Sequence, residues 1–343
     1  MSFEDGFLNN MDRNRKTKEF LHPNIEKAHR RTEQIFKNES VDMDSFKRDE
    51  DGRKGVYSAE EVEADKQKAK ALKLKFRENE NEVQRSLRIQ SEVAEGLIYR
   101  GIGKYQWFSN QAKPIKTSDY DDYINGVDVM VEFGDQNQAP QNVAGLMIDI
   151  TFSADRNTGA LDKKFERIKK EIEEGHLSSV KYFQSKNDPR FRGTFSDMPR
   201  VIIGMERSKV LELSTLWVNE DREQELLTHS IQRGILEQIW SQLQSQEEYA
   251  ASLGNDHLTN TLRKEKQIIK SIIESKNIPI GDMARDEVHR QIMDSVKGFG
   301  SSTSASTSSY HRPKSDEVVR DSSEVKMHNL EDYPRRPKLS LKK

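Results

Sequence analysis

Cysteine is absent from this chain of 343 residues, which excludes disulfides, thiolate zinc sites and cysteine nucleophiles. Long apolar runs are absent as well. No stretch approaches the ~20 residues that a membrane-spanning helix needs, and residues 1–6 lack the apolar core of a secretory signal. We therefore expect a soluble, cytoplasmic protein without a membrane partner.

Net charge is also close to zero. The chain has 56 Lys and Arg against 58 Asp and Glu, a formal charge of -2, so no overall field attracts nucleic acid or an anionic membrane. Binding to either must come from a local patch. Hydrophobic residues make up 33% of the chain, below the roughly 45 to 50% of typical globular domains counted with glycine. Part of the chain is therefore predicted to be non-globular.

Composition and periodicity divide the chain into five segments. The first is polar, with a short helix after Pro23, little core and partial disorder. The second is a long charged helix that begins with a capping-box pattern from Ser58 to Glu61, and the polar cluster 78–81 could separate it from the next helix. An α/β core, a region of three helices and a Ser-rich tail with a basic end follow; the tail is expected to be disordered. The predicted bounds are 1–57, 58–82, 83–218, 219–297 and 298–343.

The third segment combines strands and helices. Its patterns follow in the order helix, strand, hairpin, helix, strand, basic loop, strand and helix, which suits a mixed sheet with an antiparallel meander and flanking helices. We therefore predict an α/β (α+β) fold with N- and C-terminal helical extensions. The expected elements are a helix to about Arg100, strands over 105–108, 126–133, 145–152, 180–183 and 201–205, a helix from about Gly159 to Glu174, and a basic loop through Arg190 and Arg192.

Two aspartates stand on the strands of the predicted hairpin. Apolar and polar residues alternate through 126–133 and through 145–152, the period of a half-buried strand, with Asp128 and Asp149 on the polar faces. If the hairpin is symmetric about its turn, paired residue numbers sum to about 277 and Asp128 faces Asp149. Like charges at opposed positions destabilise a sheet, so the pair suggests a bound cation or a raised pKa. Glu132 is a weaker candidate on the same strand face.

Residues 83–205 resemble the PD-(D/E)xK nuclease superfamily in the order of their elements and the placement of these acids. In that family an acid at the start of one strand and a (D/E)xK triplet on the next coordinate magnesium, and a glutamate on the first helix often assists. Asp128 is similar to the first acid, Asp149 to Thr151 occupy the place of the triplet, and Glu95 is similar to the helical glutamate. The resemblance implies a restriction-endonuclease-like core that hydrolyses phosphodiester bonds of nucleic acid, with Mg²⁺ or Mn²⁺ bound by Asp128, Asp149 and Glu95.

Thr151 departs from the family pattern, because the lysine of the triplet is missing. Its hydroxyl carries no cation to polarise water or to offset charge on the phosphate. Some members of the superfamily are understood to supply this lysine from the following helix, where the chain has Lys163 and Lys164. The alternative is a protein that keeps the fold while its catalysis has weakened or been lost.

The same residues also have a purely structural interpretation. A sheet with one solvated face places polar residues at alternate positions, and Asp128 and Asp149 would then need no ligand. Glu95, Lys163 and Lys164 could likewise be solvated residues of helix surfaces. The sequence leaves this interpretation open beside the metal site.

A function of a different class fits the sequence as well. The chain could be a non-enzymatic interaction protein whose helical extensions bind a protein partner or a second copy of the chain. If the partner is DNA or RNA, basic residues outside the acid pair would contact its backbone. The candidates are Arg190, Arg192, the basic end of the tail, and Lys104 and Lys113 beside the aromatic residues of 105–108.

Overall fold

Helices account for most of the computed structural model, which describes residues 21–49, 55–78, 80–134, 144–152, 159–276 and 285–299. Within these residues nine α-helices form: α1 (Pro23–Glu39), α2 (Ala59–Arg77), α3 (Glu82–Gly103), α4 (Asp119–Tyr123), α5 (Ala160–Glu173), α6 (Arg207–Trp217), α7 (Ile231–Ser252), α8 (Asp256–Ser275) and α9 (Glu287–Gly298). Short 3-10 helices cover Met43–Phe46 and Glu223–Leu227. None of the described helices is long and apolar enough to cross a lipid bilayer.

The described strands form a mixed sheet and a separate hairpin. They are β1 (Ala112–Lys116), β2 (Val129–Phe133), β3 (Ala144–Thr151), β4 (Ser178–Gln184), β5 (Arg192–Met198) and β6 (Arg200–Gly204). The sheet has the order β1-β2-β3-β6, in which the first three strands form an antiparallel meander and β6 lies parallel to β3. β4 and β5 form the antiparallel hairpin. The predicted α/β class with a mixed sheet is confirmed.

The β2–β3 pair has the predicted register. Val129 pairs with Ile148, and the same register carried one residue further places Asp128 opposite Asp149. Alternation predicts this register because a slip of one residue would move every apolar side chain to the opposite face.

Both faces of the sheet are covered. Val129 and Ile148 lie in the main core on one face. On the other face Met130 and Met147 pack with Phe183 of β4, so that the β4–β5 hairpin supplies a second layer. The interpretation that Asp128 and Asp149 lie on a solvated face is therefore wrong for this sheet.

Two strand predictions are corrected by the structure. Residues 105–108 follow α3 in a turn, where Trp107 is buried and its Nε1 donates to Leu226 O at 2.8 Å. The first strand is β1 instead; it contains Pro114, and its place at the edge of the sheet tolerates a residue without an N–H. β5 begins at Arg192, where the sequence predicts a loop.

The predicted break between α2 and α3 is confirmed. Ser58 Oγ accepts a hydrogen bond from the Glu61 N–H at 3.1 Å and begins α2, which ends at Arg77, earlier than predicted. Asn81 and Gln84 then exchange side-chain to backbone hydrogen bonds, both at 2.9 Å, in a capping box that begins α3.

The expectation of little core in residues 1–57 is wrong for their described part. Ile25 and Ala28 of α1 are buried in the main core. Gly96 allows α1 to approach α3 this closely, since a Cβ at Gly96 would lie 2.2 Å from Thr32 Oγ1. The first helix is therefore part of the folded unit.

Helix α7 packs on the sheet through a row of glutamine hydrogen bonds. Glutamine side chains of α7 hydrogen-bond to the backbone of β6, which is the last strand of the sheet. The row occupies backbone groups that an open edge would offer to another strand. The pairs are Gln238 with Gly204, Gln242 with Ile202, and Gln246 with Arg200.

The first two residues of the predicted tail, 298–343, belong to the folded part of the chain. Residue 298 ends α9, and Phe299 is buried in the main core. Residues 1–20, 50–54 and 300–343 lie outside the described residues, and so do the disorder predictions that concern them.

Candidate metal centre

Three carboxylates meet where α4 connects β1 to β2. Glu95 lies on α3, Asp122 on α4, and Asp128 immediately before β2. All three are half-buried, and one oxygen of each lies within 4.8 Å of the other two. Mg²⁺ and Mn²⁺ prefer carboxylate oxygens as ligands, so this acid cluster could hold a metal ion.

Asp128 is held by backbone hydrogen bonds. Its N–H donates to Ile148 O at 2.9 Å, and its Oδ2 accepts from the Ile150 N–H at 2.6 Å. Gly126, with φ 59, turns the chain from α4 into β2 in a conformation that L side chains rarely adopt. The hairpin that the alternation predicts therefore positions this carboxylate.

Lys116, the last residue of β1, places a buried cation within the acid cluster. Its ammonium donates to Asp122 Oδ2 at 2.9 Å and to Glu95 Oε2 at 3.2 Å. Burial disfavours the charged form, but the charges of Asp122 and Glu95 outweigh burial and raise the pKa of Lys116. The lysine therefore stays charged and ties the two carboxylates together.

Asp149 of β3 pairs with a second cation. Lys164 Nζ of α5 lies 2.5 Å from Asp149 Oδ1 and also donates to Ile150 O at 3.2 Å. Burial disfavours the charged ammonium, but the charges of Asp149 and Asp128 outweigh it and raise the pKa of Lys164. Among the described residues, a carboxylate oxygen of Asp128 therefore lies close to those of Glu95 and Asp122, and Asp149 is not part of this acid cluster.

Burial and neighbouring carboxylates raise the pKa of two acids of the site, Glu95 and Asp128. Burial raises the pKa of Glu95 to about 7, with Lys116 opposing and Asp122 adding to the shift. Burial also raises the pKa of Asp128 well above its ordinary value, and the charge of Glu95 adds to it. When ionised, these three acids and Asp149 carry four negative charges against two ammonium groups, so the site favours a further cation.

Arg200 does not supply that cation. Its buried guanidinium donates to Ser178 Oγ at 2.8 Å and to Gly126 O at 2.7 Å, and it pairs with Glu171 at 3.3 Å. Burial lowers the pKa of Arg200. Because Glu171 balances its charge, the site has a net negative charge when its carboxylates are ionised, and a divalent ion would neutralise it.

No protein-family model, curated protein or solved structure matches this chain. The metal that suits the site follows from the chemistry of its ligand atoms. The oxygen set contains only carboxylates, which are hard ligands that suit Mg²⁺ or Mn²⁺ better than zinc or copper. The residues present thus fit the metal that the resemblance implies.

The remaining predicted residues lie outside the acid cluster. Thr151 is the last residue of β3, on the strand that also carries Asp149. Lys163 is exposed on α5, whereas its neighbour Lys164 reaches the acid on β3. Glu132 accepts hydrogen bonds from Ser185 Oγ at 2.6 Å and from a neighbouring backbone N–H, so it supports the β4–β5 hairpin.

The aromatic residues beside Lys104 and Lys113 are used inside the fold. Tyr105, Trp107 and Phe108 are buried in the main core, where no base can stack on them. The guanidinium of Arg192 lies 4.3 Å from the centre of the Phe46 ring. Aromatic contacts to a nucleic acid would therefore have to come from another part of the surface.

Lys116 and Asp122 are the site residues that sequence reasoning missed. Lys116 ends an edge strand interrupted by Pro114, and Asp122 belongs to an acidic run typical of a polar turn. The signal present in the sequence is Ser118, whose Oγ accepts from the Asp121 N–H at 3.1 Å and caps the short α4.

Proposed function

We propose that the chain is a metal-dependent nuclease, which hydrolyses phosphodiester bonds of nucleic acid from a restriction-endonuclease-like core. The observation that carries the proposal is the meeting of Glu95, Asp122 and Asp128 within 4.8 Å of one another. The order of α3, β1, β2, β3, α5 and β6, with β6 parallel to β3, supports the proposed core.

Mg²⁺ or Mn²⁺ held by Glu95, Asp122 and Asp128 would supply a Lewis acid beside the scissile phosphate. The lysines of the chain balance and position charge around it. Asp149 holds the ammonium of Lys164, which takes the part of the missing triplet lysine and offsets negative charge that develops on the phosphate.

Lys116 has a positioning role in this proposal. Its ammonium bridges Glu95 and Asp122, so it holds their oxygens close together against their mutual repulsion. It also favours the ionised carboxylates, which are the forms that bind a metal. Lys116 therefore holds these carboxylates close together and favours their ionised forms in the absence of the metal.

Asp128→Asn tests the proposal. The amide oxygen can still accept the hydrogen bond from the Ile150 N–H, but one negative charge is lost. We expect Mn²⁺ to raise the Tm of the wild-type protein, because it binds only the folded site, and to leave the Tm of Asp128→Asn unchanged. Cleavage of nucleic acid should fall at least about 100-fold. Glu166→Gln, on the exposed face of α5, is the matched control that should alter neither result.

Two results would contradict the proposal. An equal rise in Tm with Mn²⁺ in the wild type and in Asp128→Asn would mean that the metal binds elsewhere. Cleavage equal in both proteins would indicate a contaminating nuclease and would favour the non-enzymatic interaction protein.

A further inference from the structure

A cleft of 1250 Å³ leads to the acid cluster, and α1, α2, α3 and α4 line it. Glu95, Lys116 and Asp122 lie on its lining. The acids are recessed, since 16% of the Glu95 side chain and 25% of the Asp122 side chain are exposed. A phosphate group that reaches them therefore has to enter the cleft.

One wall of this cleft is basic. Lys66, Lys70, Lys73 and Arg77 line it from α2, at spacings that place all four on one face of the helix. Glu63 is the one acid that α2 contributes to the described lining. Lys66 and Lys73 form exposed ion pairs, which are typically worth about 0–1 kcal/mol and can be replaced by contacts to phosphate. The wall thus offers a row of cations to a polyanion.

Acids on the facing wall are paired with cations, one of which is Arg77 of the α2 row, 3.6 Å from Glu92. Glu80 and Glu92 both pair with Arg88, at 2.8 Å in each case. Glu92 Oε2 also lies 2.7 Å from His29 Nε2. These contacts reduce the repulsion that the facing wall would exert on a phosphate backbone.

An aromatic pair at the end of the basic row joins the exposed Phe76 to the half-buried Tyr123. Phe76 is 68% exposed, although it is a large apolar residue. Its ring stacks on Tyr123 of α4, with 6.4 Å between ring centroids and 29° between ring planes. Lys73 Nζ lies 5.5 Å from the centroid of Tyr123. Aromatic faces beside cations are the means by which proteins bind unpaired bases.

We propose that this cleft binds single-stranded nucleic acid, with phosphates along the α2 row and a base stacked on Phe76. The inference rests on the proposed nuclease function of the acid cluster, although binding itself does not require the metal. The bases of a duplex stack on one another and leave none free for Phe76. DNA and RNA share the recognised chemistry, and the 2′-hydroxyl is what can distinguish them.

Fluorescence anisotropy tests this inference on the full chain with labelled oligothymidylate, oligouridylate and a DNA duplex, in EDTA so that no strand is cut. Asp128→Asn is titrated in parallel, because its amide cannot ionise and repel phosphate when no metal is bound. We expect tighter binding of single strands than of the duplex. Phe76→Ala should weaken single-strand binding about 5- to 100-fold, the contribution of one base stacked on an aromatic ring, and Phe76→Trp should retain it.

Leu253→Ala is the matched control, because Leu253 is an apolar side chain 49% exposed that does not line the cleft. It should leave the affinity unchanged. Equal affinity for duplex and single strand, no binding, or an unchanged affinity in Phe76→Ala would overturn the inference. Failure of the nuclease proposal is distinguishable: if Asp128→Asn still cleaves while binding depends on Phe76, the metal site is refuted and the single-strand cleft stands.

Discussion

Lys164 Nζ lies 2.5 Å from Asp149 Oδ1, so a lysine of α5 meets the acid of the preceding strand. Phe165 and Ile168 anchor α5 in the main core, and the face that they define turns Lys164 toward β3 while Lys163 is exposed. The two lysines are adjacent in the chain and carry the same charge. They are therefore a matched pair for testing the proposed chemistry.

Lys164→Met should lower kcat of cleavage by about 100-fold, because it removes one group that stabilises charge in the transition state. Lys163→Met should leave kcat unchanged. The rise in Tm with Mn²⁺ should persist in both variants, since the oxygen ligands remain. Single-turnover cleavage assays and thermal melts measure these effects, and equal losses of activity in the two variants would refute the role of Lys164.

Metal affinity should depend on pH, because protons compete with the metal for the carboxylates. The pKa of Glu95 is raised to about 7, and the pKa of Asp128 is raised as well. The affinity for Mn²⁺ should therefore be weak near about pH 6 and rise through about pH 7, by up to about tenfold per pH unit for each proton displaced. Calorimetric titration measures this profile. Glu95→Gln should reduce its slope, and a flat wild-type profile would contradict the prediction.

Glu265 of α8 is a buried acid away from the metal centre. Its Oε2 has no hydrogen-bond partner among the described residues. Burial raises the pKa of Glu265 to about 8, and neither Lys264 nor the hydrogen bond from the Gly145 backbone fully offsets the shift. Between the unfolded value near 4.5 and this raised pKa, the folded protein holds a proton that the unfolded chain releases. Stability should therefore fall as pH rises through that window.

Glu265→Gln should remove most of this pH dependence, because the amide stays neutral. Near about pH 9 the variant should be more stable than the wild type by on the order of 1–3 kcal/mol, the cost of burying a poorly paired polar group. Near about pH 5 the two should differ little. Urea unfolding across pH measures the difference. Glu274→Gln, at an exposed position of the same helix, should reproduce the wild-type curve, and a wild-type stability that stays constant with pH would refute the prediction.

Gln242 forms two hydrogen bonds with one residue of β6. Its Oε1 accepts from the Ile202 N–H at 2.8 Å, and its Nε2 donates to Ile202 O at 2.7 Å. Gln242→Leu should lower the free energy of unfolding by about 2–4 kcal/mol, because two buried backbone groups lose their partners. Ser245→Ala, three residues along α7, should change it by less than about 0.5 kcal/mol. Urea unfolding measures both, and comparable losses would contradict the proposed role of the glutamine row.

Local patterns predicted the elements whose cause is local. The pairing of Val129 with Ile148 follows from alternation, since a slipped register would expose apolar side chains. The start of α2 follows from Ser58, whose hydroxyl accepts the hydrogen bond of the Glu61 N–H three residues along the chain. β1 was missed because Pro114 suggests a turn, and only its place at the sheet edge makes that residue acceptable.

The candidate site was predicted in part. Glu95 and Asp128 were named from the sequence, and the structure brings them into one oxygen set; their catalytic role stays a prediction. Lys116 ends β1 and Asp122 lies in the connection between β1 and β2, and no period or motif marks either residue. Their contacts depend on how α3 packs against β1, and this packing cannot be predicted from the sequence of either segment alone.

The amino-acid sequence alone determined the α/β class, the register of the central hairpin and the helix caps, because alternation and capping depend on residues close together in the chain. The tertiary structure decided that both sheet faces are covered, that Lys164 rather than Lys163 reaches Asp149, and that Asp122 joins the acid cluster. These outcomes depend on distances between elements far apart in sequence, and such distances arise only when the elements pack.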